Sequence, residues 1–169
     1  MRLRGQRKIP VMNAPLSPRE AIAAMAATAG APVTIGKLGP FAVSLDGTLH
    51  PNDPEVAPRF GFRWRGRRIV ARMLAGWQVE FDVVAAHVPF TAESSAARPR
   101  VLSAVAALRD TLPAGWRLRL SPDHAVHVET VASLGGPATA TKLVSAATGF
   151  VLALAPCLDL LEDEGARAS

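Results

Sequence analysis

Apolar residues recur at every second position through much of residues 41 to 86, the period of a half-buried strand. Phe41, Val43 and Leu45 alternate with small or polar residues, and Asp46-Gly47 carries turn chemistry. His50 to Pro58 holds Pro51, Pro54 and Pro58 and is predicted to be a loop. Phe60, Phe62 and Trp64 then alternate with Gly61, Arg63 and Arg65, and Arg65-Gly66 marks a tight turn. Ile69, Ala71 and Met73 alternate with Arg68, Val70 and Arg72. Beyond a turn at Ala75-Gly76, Trp77, Val79, Phe81 and Val83 alternate with Gln78, Glu80 and Asp82. Such a run predicts an antiparallel meander with one apolar face and one charged face.

The period changes outside that stretch. Ser17-Pro18-Arg19-Glu20 is a helix start, with a capping serine, proline in the first turn and a returning glutamate. The helix it opens is Ala-rich and closes at Gly30, so its narrow stripe needs a larger surface to dock on. A second helix is predicted over about Pro99 to Leu112, with Val101, Val105, Leu108 and Leu112 on one face. A hairpin follows, in which Trp116, Leu118 and Leu120 lead through Ser121-Pro122-Asp123 to Val126 and Val128. Gly135-Gly136-Pro137 is expected to open a last helix with the stripe Leu143, Ala147, Phe150, Val151, Leu154, Leu158 and Leu161. Pro156 is expected to kink or split that helix, and Glu162, Asp163 and Glu164 oppose its dipole and should fray its end. The fold class is therefore α+β: an antiparallel sheet, meander plus hairpin, with helices on one face in the order α-βββ(β)-α-ββ-α. The expected divisions are an extension over residues 1–16, one domain over 17–164, and a short tail over 165–169.

That order of elements resembles the type III secretion chaperone-like fold, in particular its YbjN-type branch. The likeness covers about Ser17 to Glu164 and includes the last helix, Gly149-Phe150-Val151-Leu152 through Ala155-Pro156-Cys157-Leu158. Glu93 to Arg98 carries none of the asparagine that this branch often has before its second helix. The resemblance implies a small dimeric protein-binding module without enzymatic activity.

Composition narrows the class. The 169 residues are 49% hydrophobic and 20% charged, which suits one globular domain. A single cysteine excludes an internal disulfide framework, and with it any Cys-based zinc finger. The formal charge of +5 is concentrated at the start: Arg2, Arg4, Arg7 and Lys8 face no acid, and the rest of the chain carries 15 basic against 14 acidic side chains. The body is close to neutral, so the global charge overstates the pull on a polyanion. Residues 1–12, with four cations and Pro10, are expected to be disordered and dispensable, and Met12 is an alternative start. Pro10, Asn13, Pro15 and Pro18 interrupt any signal-peptide core. The uncharged run Leu143 to Leu158 is shorter than the ~20 residues of a membrane helix and is read as a core helix. A cytoplasmic protein that does not enter a membrane is expected.

Candidate chemistry is sparse. Arg59, Arg63, Arg65, Arg67, Arg68 and Arg72 fall within 14 residues that contain no acid, interleaved with Phe60, Phe62 and Trp64. Rings between cations can stack bases and contact phosphates. At period two, however, the rings and the guanidinium groups point to opposite faces. Arg63, Arg65, Arg68 and Arg72 are accordingly a candidate partner-binding face, in part paired across strands with Glu80 or Asp82. His124, His127 and Glu129 could in principle hold zinc, but their spacing matches no metal motif, and a hairpin surface is the plainer reading. Asp46, His50 and Asp53 read as turn chemistry. Gly135-Gly136-Pro137 could seat an anion, but reads as a plain helix start. Cys157 sits among leucines and is expected to be inert. There is no nucleophile elbow, phosphate loop or dinucleotide fingerprint. The expectation is a non-enzymatic, chaperone-like or regulatory module with a protein partner, a homodimer without cofactor or metal. The alternative is anion or nucleic-acid binding through the arginine hairpin 59–72.

Overall fold

A computed structural model describes residues 34–167. The extension over 1–16 and the helix expected over Ser17–Gly30 lie outside the described residues. The described chain runs β1 (Thr34–Leu38), β2 (Phe41–Ser44), β3 (Leu49–Pro51), β4 (Arg59–Trp64), β5 (Arg67–Leu74) and β6 (Gln78–His87). It continues through α1 (Ala97–Thr111), β7 (Arg117–Leu120), β8 (Ala125–Ser133) and α2 (Ala140–Asp163). The fold is α+β, with two antiparallel sheets. One has three strands in the order β1-β2-β3, and the other has five in the order β4-β5-β6-β8-β7.

The five-stranded sheet is the meander and the hairpin joined, because β8 pairs along β6 from Gln78↔Ser133 to His87↔Ala125 and leaves β7 on the edge. Alternation orders its two faces. Ile69, Ala71, Val79, Phe81, Val83, Val126 and Val128 are buried, and they pack against Val101, Val105 and Leu108 of α1 and Phe150, Leu154, Leu158 and Leu161 of α2. The β4–β5 turn takes only Arg65 and Gly66, at φ 49° and 78°. Two left-handed residues match the twist of the flanking strands, and glycine occupies the second position without steric cost.

Several boundaries differ from the sequence reading. The separate three-stranded sheet was not expected: Leu49–Pro51 pairs with β2 through Val43↔Leu49 and Phe41↔Pro51, so the loop begins at Asn52. Pro51 is tolerated because it closes the last strand of that sheet, where no further ladder needs its N–H. Trp77 is in the β5–β6 turn at φ 58° and 40% exposed, one residue short of β6. The α1 helix starts at Ala97, two residues before Pro99, because first-turn N–H groups have no acceptor for the proline to remove. α2 starts at Ala140, where the Thr139 side chain accepts from the Lys142 N–H, three residues past Pro137.

α2 is neither split nor frayed. It runs continuously through Pro156, which lies on its exposed side, so the carbonyl of Leu152 that loses its partner stands beside solvent. At the C-terminal end Gly165, at φ 89°, donates to the Glu162 carbonyl and Ala166 donates to the Leu161 carbonyl. This is a Schellman closure, in which a left-handed glycine lets two orphan carbonyls be satisfied. The chain then stays bound to the body through Arg167, which exchanges backbone hydrogen bonds with His87 and reaches Glu93 at 2.7 Å.

Candidate functional site

The arginines of the first hairpin do not act as one face. Register places Arg63 directly opposite Arg68, and Arg59 opposite Arg72, on the side of the sheet away from the helices. Arg72 is neutralised by Glu80, one strand further in, at 2.6 Å. This is one of the cross-strand pairs that the alternation predicts. Arg65 leaves the face altogether. Placed in the turn, it swings toward α2 and binds Asp159 at 2.6 Å and Glu162 at 2.9 Å, with its guanidinium 5.7 Å from the Trp64 ring centre. Pairing with Asp159 raises the already high pKa of Arg65. Arg63 and Arg68 remain without an acidic partner among the described residues, and Arg63 donates to the Gly66 carbonyl at 3.3 Å.

Arg67 was not singled out from the sequence, and it is the buried one, 1% exposed. It shares parity with Ile69 and Ala71, so the strand turns it inward. There its Nε donates to the Ala85 carbonyl, Nη1 to the Arg65 carbonyl at 3.0 Å, and Nη2 to Glu162 at 2.7 Å. Ala85 is the extra residue of a β-bulge between Val84 and Ala86, which takes its backbone out of the β8 ladder. The guanidinium supplies the donor that this bulge requires. The signal was legible in the alternation, since position 67 falls on the apolar parity of β5.

Two further pairs lie on the outer face. Arg119 meets Glu129 at 3.2 Å, and His127 Nδ1 lies 3.4 Å from Asp82. Arg59 and Arg63 lie on one edge strand of the sheet, and Arg117 and Arg119 on the other. Cations on both edges oppose edge-to-edge pairing with further strands, a structural use of arginine that needs no ligand.

His124, His127 and Glu129 do not converge. His124 sits in the hairpin turn at φ 67°, its ring 4.6 Å from Phe90 and its Nδ1 2.9 Å from an Arg98 nitrogen. Among the described residues no group of three His, Cys, Asp or Glu side chains could hold a metal ion. Asp46 accepts from the backbone and the hydroxyl of Thr48, and these bonds hold its carboxyl below the usual range. Asp53 accepts from the Glu55 N–H. Ser121 and the Ala125 N–H lower the Asp123 carboxyl in the same way. All three are turn devices. Burial pushes the Cys157 thiol up, away from the reactive thiolate.

Two features of α2 were not visible in the sequence. The first is its outward row. By length and composition α2 could cross a membrane, yet only 28% of its apolar stretch is buried. Its core stripe is largely covered, but Val144 and Leu152 are 65% and 68% exposed. The row 144–148–152–156 reads Val, Thr, Leu, Pro and lies within 16 residues that carry no charge. The second is a cavity of about 510 Å³ on the adjacent flank, between α2, the end of β8 and the loop after α1. Among the described residues, Lys142 is the one charged residue lining it. The chain matches no protein-family model, no curated protein and no solved structure.

Proposed function

We propose that this chain is a non-enzymatic, chaperone-like protein-binding module of the cytoplasm that works as a homodimer. The observation that carries the reading is the outward row of α2. Helices on the surface of a water-soluble domain ordinarily place charges opposite their core stripe. Here that position is taken by exposed Val144 and Leu152 in an uncharged segment. An apolar row of this kind is stabilised when another protein surface covers it.

Leu152→Glu tests this without disturbing the core, because the side chain points outward. Covering one leucine contributes about 1.5–3 kcal/mol, or roughly 10- to 100-fold in affinity per leucine. The native chain is expected to be a dimer by light scattering, with a melting temperature that rises with protein concentration, and the variant a folded monomer whose melting temperature does not. A native monomer whose only captured partners disappear after nuclease treatment would sink the reading.

Opposed Arg63 and Arg68 favour the second reading, an anion or nucleic-acid binder. Like charges directly opposite in a ladder repel, and a bound phosphate would relieve this. Arg65 is no longer a useful target, since it is held by α2, so the informative variant is Arg63→Gln with Arg68→Gln. On the protein-binding reading, any salt dependence of single-stranded DNA binding is the same in variant and native chains. Flattening of the log–log salt slope by about 0.7 per arginine would promote the second reading.

A further inference from the structure

We propose that the cavity beside α2 is a binding site for an aromatic carboxylate. Its floor is a continuous stack of rings. Phe81 lies on Phe150 with centroids 4.9 Å apart and planes at 12°, and Phe150 lies on Trp116 at 5.1 Å and 21°. Phe81 and Phe150 are 0% and 4% exposed, so the half-buried Trp116, which ends the stack, is the ring that a planar group entering the cavity meets.

The α2 wall is built from Ala146, Gly149 and Ala153. A Cβ placed on Gly149 would meet nothing within 4 Å, so this glycine leaves open space and touches no neighbouring backbone. The volume, about 510 Å³, lies within the roughly 300–1,000 Å³ range of small-ligand sites and accommodates two fused rings.

The charge of the lining residue Lys142 selects the ligand's polar end. Lys142 donates to the Pro137 carbonyl at 3.1 Å, which uses one of the three donors of its ammonium group. Among the described residues no acid lines the cavity to compete for the others. A mostly apolar cavity with the partly exposed Trp116 on its floor and Lys142 among its lining residues complements a flat apolar body ending in one anion. This inference stands apart from the protein-binding reading. It uses the flank of α2 that carries Lys142, Ala146 and Gly149, whereas the docking row is 144–148–152–156.

The test uses the full chain and three probes of one shape: 2-naphthoate, 2-naphthylmethanol and 2-naphthylmethylammonium, titrated by calorimetry. Naphthoate is expected to bind saturably and about 5-fold more tightly than the alcohol, the upper end of what one partly exposed charge pair supplies. The ammonium probe should bind most weakly. Lys142→Gln should reduce naphthoate to the affinity of the alcohol and leave the alcohol unchanged. Gly149→Leu should abolish binding of both while holding or raising the melting temperature, since leucine is the better helix former. Leu152→Glu should leave naphthoate binding intact, which separates this site from the docking row. Equal affinities for the three probes, no saturable binding, or binding that survives Gly149→Leu would each overturn the proposal.

Discussion

Replacing Phe81 with alanine is expected to cost about 3–5 kcal/mol, the range for truncating a large aromatic side chain in a packed core. Phe81 is 0% exposed at the centre of β6 and stacks on Phe150, which in turn stacks on Trp116. Its loss opens a hole where the central strand meets α2, and the neighbours are backbone-anchored on both sides and collapse poorly. A domain of this size has total stability of roughly 5–15 kcal/mol, so a large fraction is removed. The urea midpoint should fall accordingly. Val70→Ala is the control, because Val70 lies on the outer face and is 37% exposed. Its cost should stay within about 0.5 kcal/mol, as for most surface substitutions. Equal costs at the two positions would mean that the sheet is covered on both sides, and the layer order described above would be wrong.

Arg67→Ala is expected to be comparably severe, at about 3–5 kcal/mol, although the residue is charged and sits in a hairpin rich in arginine. Two terms add. The buried Ala85 carbonyl loses its donor, at roughly 1–3 kcal/mol for a buried group left unpaired, and the part-buried Arg65 carbonyl loses less. A void also opens where the side chain packed. Glu162 contributes less to the loss, because its side chain is 37% exposed and can turn to water. Arg67→Met separates the terms, since it keeps most of the volume and removes the hydrogen bonds, and it should cost less than alanine. Arg67→Lys should recover only part of the loss. One ammonium cannot reproduce a planar fork aimed at three acceptors. An alanine variant within about 1 kcal/mol of the native chain by urea denaturation would show that the bulge carbonyl finds another donor, and the assigned role would fall.

What the sequence by itself determined is local and periodic. Alternation over 59–87 placed Val79, Phe81 and Val83 inward and Arg63, Arg68 and Glu80 outward, because a strand allows a side chain only two directions. Helical spacing found the core stripe of α2 from Leu143 to Leu161. The tight turn at Arg65-Gly66 was legible because only a few dipeptides take two left-handed residues. The tertiary structure decided everything that depends on which distant segment covers a given face. Arg65 left the outer face because Asp159 and Glu162, more than 90 residues later in the chain, came within its reach. Arg67 became a buried hydrogen-bond donor because β6 bulges at Ala85, a displacement that periodicity does not encode. Leu49–Pro51 became a strand because β2 lay beside it, against a local composition that reads as loop. The end of α2 held against its own dipole because two arginines and Gly165 met it there. The outward row of α2 and the cavity beside it are likewise products of packing: a pattern along one helix states which residues are apolar, and only the assembled layers leave some of them uncovered.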